Sequence, residues 1–314
     1  MPNIFTEAQN SAIVKTQLDS VFFQEWEQAQ QPGIANANTA SIFRLENFDK
    51  AVYSEQIFSG VPAFQTIGET QVVPQFSPKV TNTFTTNILD FGQELPVSKD
   101  MYDDVMHGVW PKSVSDFAVK ARVAQDINAF ALFNNGASTY LSADGVSLFN
   151  VAHPLIGSSS TQSNYNTGVG TALSNTALNT TIVQMQTMKD QTGVIMGCMP
   201  KCLIVPPALF QLAIQLTQSV LVGDASTNAV NVWRGMYGLE VYQSPYLSAA
   251  AGGSDTRWFL TGKTNSVTRL VRQGMTTEMV DWKYSNNRVY RYVANFREAV
   301  KAPDYVGMIA NAGV

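Results

Sequence analysis

The sequence predicts an α+β fold, on three observations. Residues 113–134 carry one long helical pattern, the longest rigid rod in the chain. The stretch TTEMVDWKYSNNRVYRYVANFREAVKAP alternates with a period of two and reads as two long paired strands, joined near Ser285 to Asn287. Between them, patterns in the order α, β, α, β, β predict a mixed α/β unit.

Residues 1–47 form an arm. Leu18, Val21, Phe22 and Trp26 share one face of a short amphipathic piece, and QQPGIANANTA after it has the composition of a linker. Residues 48–97 are extended: Thr, Val, Phe and Ile dominate, punctuated by Gly60, Pro62, Gly68, Pro74 and Pro78. The segment PQFSPKVTNTFTTNIL holds β-formers but few large apolar side chains. A hairpin built from it is marginal alone in water and needs a second surface. Residues 98–136 are helical. Ser98 caps SKDMYDDVMHGV, whose acids sit where the helix dipole favours them. Trp110-Pro111 is expected to break it, because proline removes an amide and restricts the residue before it. The long helix then starts at Ser113 or Ser115, carries Val119, Val123, Ile127 and Phe130 as its apolar stripe, and ends at Asn135-Gly136. Residues 137–275 open on a loop-rich segment. A helix capped near Ser174 and stopped at Gly193 follows, with Leu178, Ile182 and Met185 inward. CLIV is a buried strand. Pro206-Pro207 opens a helix with Leu209, Leu212, Ala213 and Leu216 inward, and strands follow at GLEVYQS and RWFLT. Residues 276–314 hold the closing strands, in which Tyr290, Tyr292, Ala294 and Phe296 alternate with Val289, Arg291, Val293 and Asn295.

Charged residues are 14% of the 314, against roughly 25% in an average globular protein. Asn, Gln, Ser and Thr replace them. Uncharged polar groups suit burial against partners, since each can be hydrogen-bonded without desolvating an ion. A charge-poor, β-rich monomer is the plainer alternative. The net charge is −4 and no Lys or Arg run exists, so tight sequence-independent nucleic-acid binding is not indicated. Cys198 and Cys202 make neither a disulfide framework nor a zinc pattern. MPNIFTEAQNSAIVK does not read as a signal peptide, and no apolar stretch approaches the roughly 20 residues of a membrane span. A soluble product made in a reducing cytoplasm, without membrane partners, is expected.

Candidate chemistry is thin. Gly262-Lys263-Thr264 lacks the earlier glycine of a phosphate loop, where Arg257 stands, and Gly168-Val169-Gly170 lacks the rest of a dinucleotide fingerprint. No GxSxG is present. Asp103 and Asp104 are adjacent on a helix and point apart. His153, in DGVSLFNVAHPLIGSSS, has no second histidine, cysteine or acid at metal or catalytic spacing; His107 lies far along the chain. A turn-bracing hydrogen bond beside Pro154 is its expected role. No catalytic, cofactor-binding or metal-ligating residue is assigned, and no cofactor is expected.

The stretch DGVSLFNVAHPLIG resembles the segment after the long helix in tailed-phage major capsid proteins, including Mu-type head subunits. PQFSPKVTNTFTTNI followed by ELPVSKDMYDD resembles the extended loop and the lead into the spine helix of the Hong Kong 97-type capsid fold. KCLIVPPALFQLA with GLEVYQSPYL resembles the strand, helix and strand of the axial domain, and the closing strands resemble the peripheral domain. The resemblance runs in order over about residues 45 to 310. It implies an N-terminal arm (1–47), an extended β-hairpin loop with lead-in strands (48–97), a spine helix (98–136), an axial domain (137–275) and peripheral strands with a C-terminal segment (276–314). It implies a shell subunit without enzymatic activity that self-assembles as hexamers and pentamers into an icosahedral phage head. That head is assembled in the host bacterial cytoplasm and encloses double-stranded DNA without sequence-specific contacts.

Residues 1–47 are too short for the scaffolding domain that some members fuse ahead of the arm, so a separate scaffolding protein is expected, with portal and decoration proteins as further partners. Some members cross-link subunits through a Lys to Asn bond; Lys79 lies in the extended loop, but no catalytic acid or facing Asn is assignable. An encapsulin-type nanocompartment shell shares the fold and is the first alternative. An α/β enzyme using His153 is the second.

Overall fold

The computed structural model describes residues 7–28, 42–58, 64–69, 71–75, 77, 80–98, 109–155, 160–190, 192–220, 231, 233–236, 238–280 and 288–314. The elements begin with α1 (Glu7–Gln28), β1 (Arg44–Asn47), the hairpin strands β2 (Val52–Phe58) and β3 (Val80–Asn87), β4 (Leu89–Ser98) and α2 (Val109–Asn135). Short strands β5 (His153–Pro154), β6 (Thr161–Gln162) and β7 (Tyr165–Asn166) follow, then α3 (Asn175–Gln186), β8 (Pro200–Val205), α4 (Pro207–Gln218), α5 (Trp233–Met236) and β9 (Glu240–Gln243). The chain closes with β10 (Trp258–Gly262), β11 (Thr268–Val280), β12 (Val289–Lys301) and β13 (Met308–Asn311). No helix among the described residues is long and apolar enough to cross a membrane. The linker, most of the helix expected over 98–109, Lys79 and the turn between the closing strands lie outside the described residues.

The sheet order β1-β11-β12-β4 puts the closing strands at the centre of a four-stranded sheet. Tyr290, Tyr292, Ala294 and Phe296 are its buried face, as the alternation requires. Tyr292 and Ala294 pack with Val114, Phe117 and Ala118 of α2 and with Leu18 and Phe22 of α1. The arm helix is thus a full 22 residues rather than a short piece.

Two expectations for α2 are corrected. It starts at Val109, with Trp110 and Pro111 inside its first turn. There the missing proline amide costs no helical hydrogen bond, so the pair opens this helix instead of breaking its predecessor. Its buried face runs through Val114, Ala118, Arg122, Gln125, Asp126, Ala129, Phe130 and Phe133, while Ile127 is 51% exposed and Val119 and Val123 are half-buried. Arg122, Gln125 and Asp126 sit in the middle of that face, so counting apolar residues selects the neighbouring Val-Ile row.

The five-stranded sheet, order β7-β13-β10-β8-β9, holds the larger core. Trp258, Phe259, Phe133, Phe149 and Leu203 are wholly or almost wholly buried there, with Phe133 and Phe149 ring centroids 5.1 and 5.4 Å from Phe259. Met308–Asn311, in the C-terminal segment, joins this sheet beside β10. Ser174 caps α3 by accepting the Ala177 amide, and Leu178, Ile182 and Met185 are buried. The helix ends at Gln186, short of Gly193. Asp190 accepts the Thr192 and Val194 amides and turns the chain toward a Lys189–Ile195 bridge, because a side-chain acceptor offers the backbone an alternative to the helix. In α4 only Ala213 and Thr217 are buried; Leu209 and Leu216 are half-buried and Leu212 faces outward.

Candidate assembly surface and the buried histidine

β2 and β3 pair only with each other, from Val52↔Asn87 to Phe58↔Val80. A single residue, Ile88, separates β3 from β4, whose first residue Leu89 pairs with Glu298. The hairpin is therefore a continuation of the four-stranded sheet's edge, standing off the body. Beyond the paired strands, Phe64, Val72 and Val73 are 103%, 89% and 64% exposed. Isolated exposed apolar side chains are ordinary; these three stand on one segment and belong to neither core cluster.

Two contacts fix the hairpin root. Phe84 is buried with its ring centroid 6.4 Å from that of Tyr140, whose hydroxyl accepts the Ala302 amide. On β2, Lys301 donates to the Tyr53 hydroxyl. Its Nζ lies 3.7 Å from the Tyr53 ring centroid, 3.3 Å from Glu46 Oε2 and 3.6 Å from Glu55 Oε2. Burial works to lower the Lys301 pKa, but Tyr53, Glu46 and Glu55 outweigh it and hold the ammonium above its ordinary value.

A second charged group lies beneath α2. Arg269 donates twice to Glu298 Oε2, and Asn128 donates to Oε1 at 3.1 Å. Beside them, Arg122 Nη2 and Asp126 Oδ1 are buried without a hydrogen-bond partner among the described residues. Burial pushes the Asp126 carboxyl from 3.8 up to about 6; Arg122 and Arg269 oppose the rise and Glu298 adds to it. A carboxyl raised by folding contributes stability that is complete below its unfolded value and lost as pH climbs through about 6. Asp126→Asn cannot ionise, so it is expected to stabilise free subunits at pH 7.5 by up to about 3 kcal/mol, with no gain near pH 4. Denaturant unfolding at the two pH values checks this.

His153 is fully buried on β5, and the structure corrects the expectation that no acid stands by it. Its Nδ1 lies 2.6 Å from Asp144 Oδ2 and its Nε2 3.0 Å from Asn164 Oδ1. Asn164 is oriented by donating to the Leu148 carbonyl and accepting the Asn150 amide. Both ring nitrogens are thus engaged within the protein. The ring stacks on Tyr305, centroids 3.8 Å apart. Burial alone would raise the Asp144 carboxyl, but hydrogen bonds from His153, Ser142 and Val146, with the His153 charge, hold it below the usual carboxylate range. The group ties the 142–153 loop to 164 and to the segment leading into β13. Sequence spacing hid it because the partners come from turns nine and eleven residues away. The signal was Asp144-Gly145 itself: Gly145 has φ +84°, the turn that aims Asp144 back at the ring. Among the described residues no three His, Cys, Asp or Glu side chains gather at metal-binding distance.

A family model described as phage capsid protein matches residues 81–311. No curated protein sequence matches the chain. Among solved structures, the chain is similar to a virus-like particle from Pyrococcus furiosus, with TM-score 0.55 and 10% identity over 98% of this chain and 100% of that one. It is also similar to the capsid of a native GTA particle, with TM-score 0.57 and 10% identity over 89% and 91% of the two chains. The mature capsid of bacteriophage PhiM1 gives TM-score 0.57 and 11% identity over 90% and 88%. At such identities the likeness shows the fold. With the standing-off hairpin, the long helix under a four-stranded sheet and a family match over most of its length, the chain belongs to the phage capsid protein family, has the Hong Kong 97-type fold and is a major capsid protein of a phage head shell.

Proposed function

We propose that copies of the chain, as hexamers and pentamers, close into an icosahedral shell around double-stranded DNA. The observation that carries this reading is the hairpin: a long, paired projection whose apolar residues have no core of their own and need a neighbouring copy. Scaffolding and portal proteins complete the assembly in the host bacterial cytoplasm. The net charge of −4 suits a wall along which DNA slides without sequence-specific contacts. Electron microscopy of the purified protein is expected to find closed shells, and shells from infected cells are expected to hold nuclease-protected DNA. A shell filled with a protein cargo and free of DNA overturns the phage reading in favour of a nanocompartment. A small oligomer under all conditions overturns both.

His153 serves structure in this reading. A general base needs a lone pair within reach of substrate, and both ring nitrogens here are engaged inside the protein. His153→Gln is expected to give normal particles, with free subunits destabilised by about 1–3 kcal/mol, the cost of leaving a buried polar group imperfectly paired. Metal analysis of wild-type shells is expected to find no stoichiometric zinc or iron. One metal per subunit, lost in the variant, reverses the assignment.

A further inference from the structure

We propose that Lys301 is a releasable clasp that sets the angle of the β2–β3 hairpin to the body, and that a cavity on the other side of the hairpin root gives it room to swing. Apart from the clasp, the root is held by Phe84 against Tyr140 and by Phe48 against Tyr53, ring centroids 6.4 and 5.2 Å apart. β2 and β3 share no sheet with the body, and the backbone passes from hairpin to sheet at Ile88, whose amide donates to the Ala51 carbonyl at 3.0 Å. This places the two chain crossings side by side, as in a hinge. On one side of it Lys301, fixed at the end of β12 and 6% exposed, reaches Tyr53 and Glu55 on the moving strand and Glu46 on the fixed strand β1. Both carboxylates are partly open to solvent, so a contact from outside the subunit can compete for the ammonium. On the other side lies a cavity of about 280 Å³, bounded by Thr86, Asn87 and Leu89 at the root and by Asn128, Ala131 and Asn135 of α2. A close-packed root admits no movement, whereas an open one admits a second angle at small cost. In a shell of pentamers and hexamers identical chains sit in different surroundings, and a clasp of this kind lets one sequence present its hairpin at more than one angle.

That use of the clasp rests on the reading of the chain as a shell subunit; the clasp itself is tested on free subunits. Spin labels at Thr83→Cys on β3 and Ser138→Cys beyond α2, both exposed sites, report the hairpin angle as a distance distribution; Cys198 and Cys202 are buried. Wild type is expected to give one narrow distribution, and Lys301→Met one about twofold broader or split in two. Adding Ala131→Leu, which fills the cavity, is expected to narrow it again. Where Lys301→Met does not fold, Glu46→Gln with Glu55→Gln takes its place, with the same broadening expected. A distribution unchanged in folded Lys301→Met, or in the double variant, overturns the clasp. Broadening that Ala131→Leu does not reverse overturns the cavity's part in it. Failure to form shells while the distances behave as stated counts against the shell reading alone.

Discussion

Replacing residues 59–79 by an Asn-Gly turn is expected to yield a soluble, folded subunit that forms no shells. The two-residue turn closes β2 and β3 without splaying them, since it fits the twist of paired strands. The excised segment carries Phe64, Ile67, Val72 and Val73, all exposed and none in a core cluster of the subunit. Burying side chains of this size is worth roughly 1.5–3 kcal/mol each, so the segment offers on the order of 6–12 kcal/mol per contact before ordering costs. Losing that at every copy moves the assembly equilibrium far past the concentrations at which shells form. Because the subunit's own cores are untouched, its melting temperature is expected to hold. Size-exclusion chromatography, electron microscopy and thermal melts together read the result. Normal shells from the shortened chain remove the hairpin from assembly; a fall in melting temperature shows that the segment belongs to the subunit's fold.

Phe133→Ala is expected to destabilise the free subunit by about 3–5 kcal/mol, whereas Ile127→Ala on the same helix costs under about 1 kcal/mol. Phe133 is wholly buried, with rings of Phe43, Phe149 and Phe259 packed around it at 6.1, 6.3 and 5.1 Å. Removing it opens a void that three rings on separate stretches of chain cannot close together. Ile127 is half in water and leaves none. Equal losses from the two substitutions show that the buried face of α2 is misassigned. Denaturant unfolding measures both.

The contrast also marks how far the sequence could be read. β12 was legible from Tyr290 to Phe296 because the inward row there is aromatic or apolar throughout, while Arg291 and Asn295 mark the other row. The same holds for Leu178, Ile182 and Met185 on α3. The face of α2 was not, because a helix can bury charge when a sheet across from it supplies Arg269 and Glu298, and that pairing is 100 or more residues away in sequence. On α4 the inward row was read too wide: Leu212 was placed inward with Leu209 and Leu216, whereas only Ala213 and Thr217 are buried. Among site features, the extended, core-poor character of the hairpin segment followed from its composition. The acid beside His153 and the Lys301 contacts did not, since each joins turns or strands that only the tertiary fold brings together.

The position of β13 has a consequence for how the protein is made. It lies between β7 and β10, so the five-stranded sheet has a gap in its middle until Asn311 has been synthesised. Until then β10 presents a bare edge and β7, two residues long, has no neighbour to hold it. A chain in which β13 has not yet paired therefore has its larger core incomplete, and the pairing that completes it is non-local and slow. Such a chain exposes the β10 edge, a template for wrong pairing with another chain. The same gap delays the finished surface, so a subunit becomes competent to join its neighbours only once β13 has closed it.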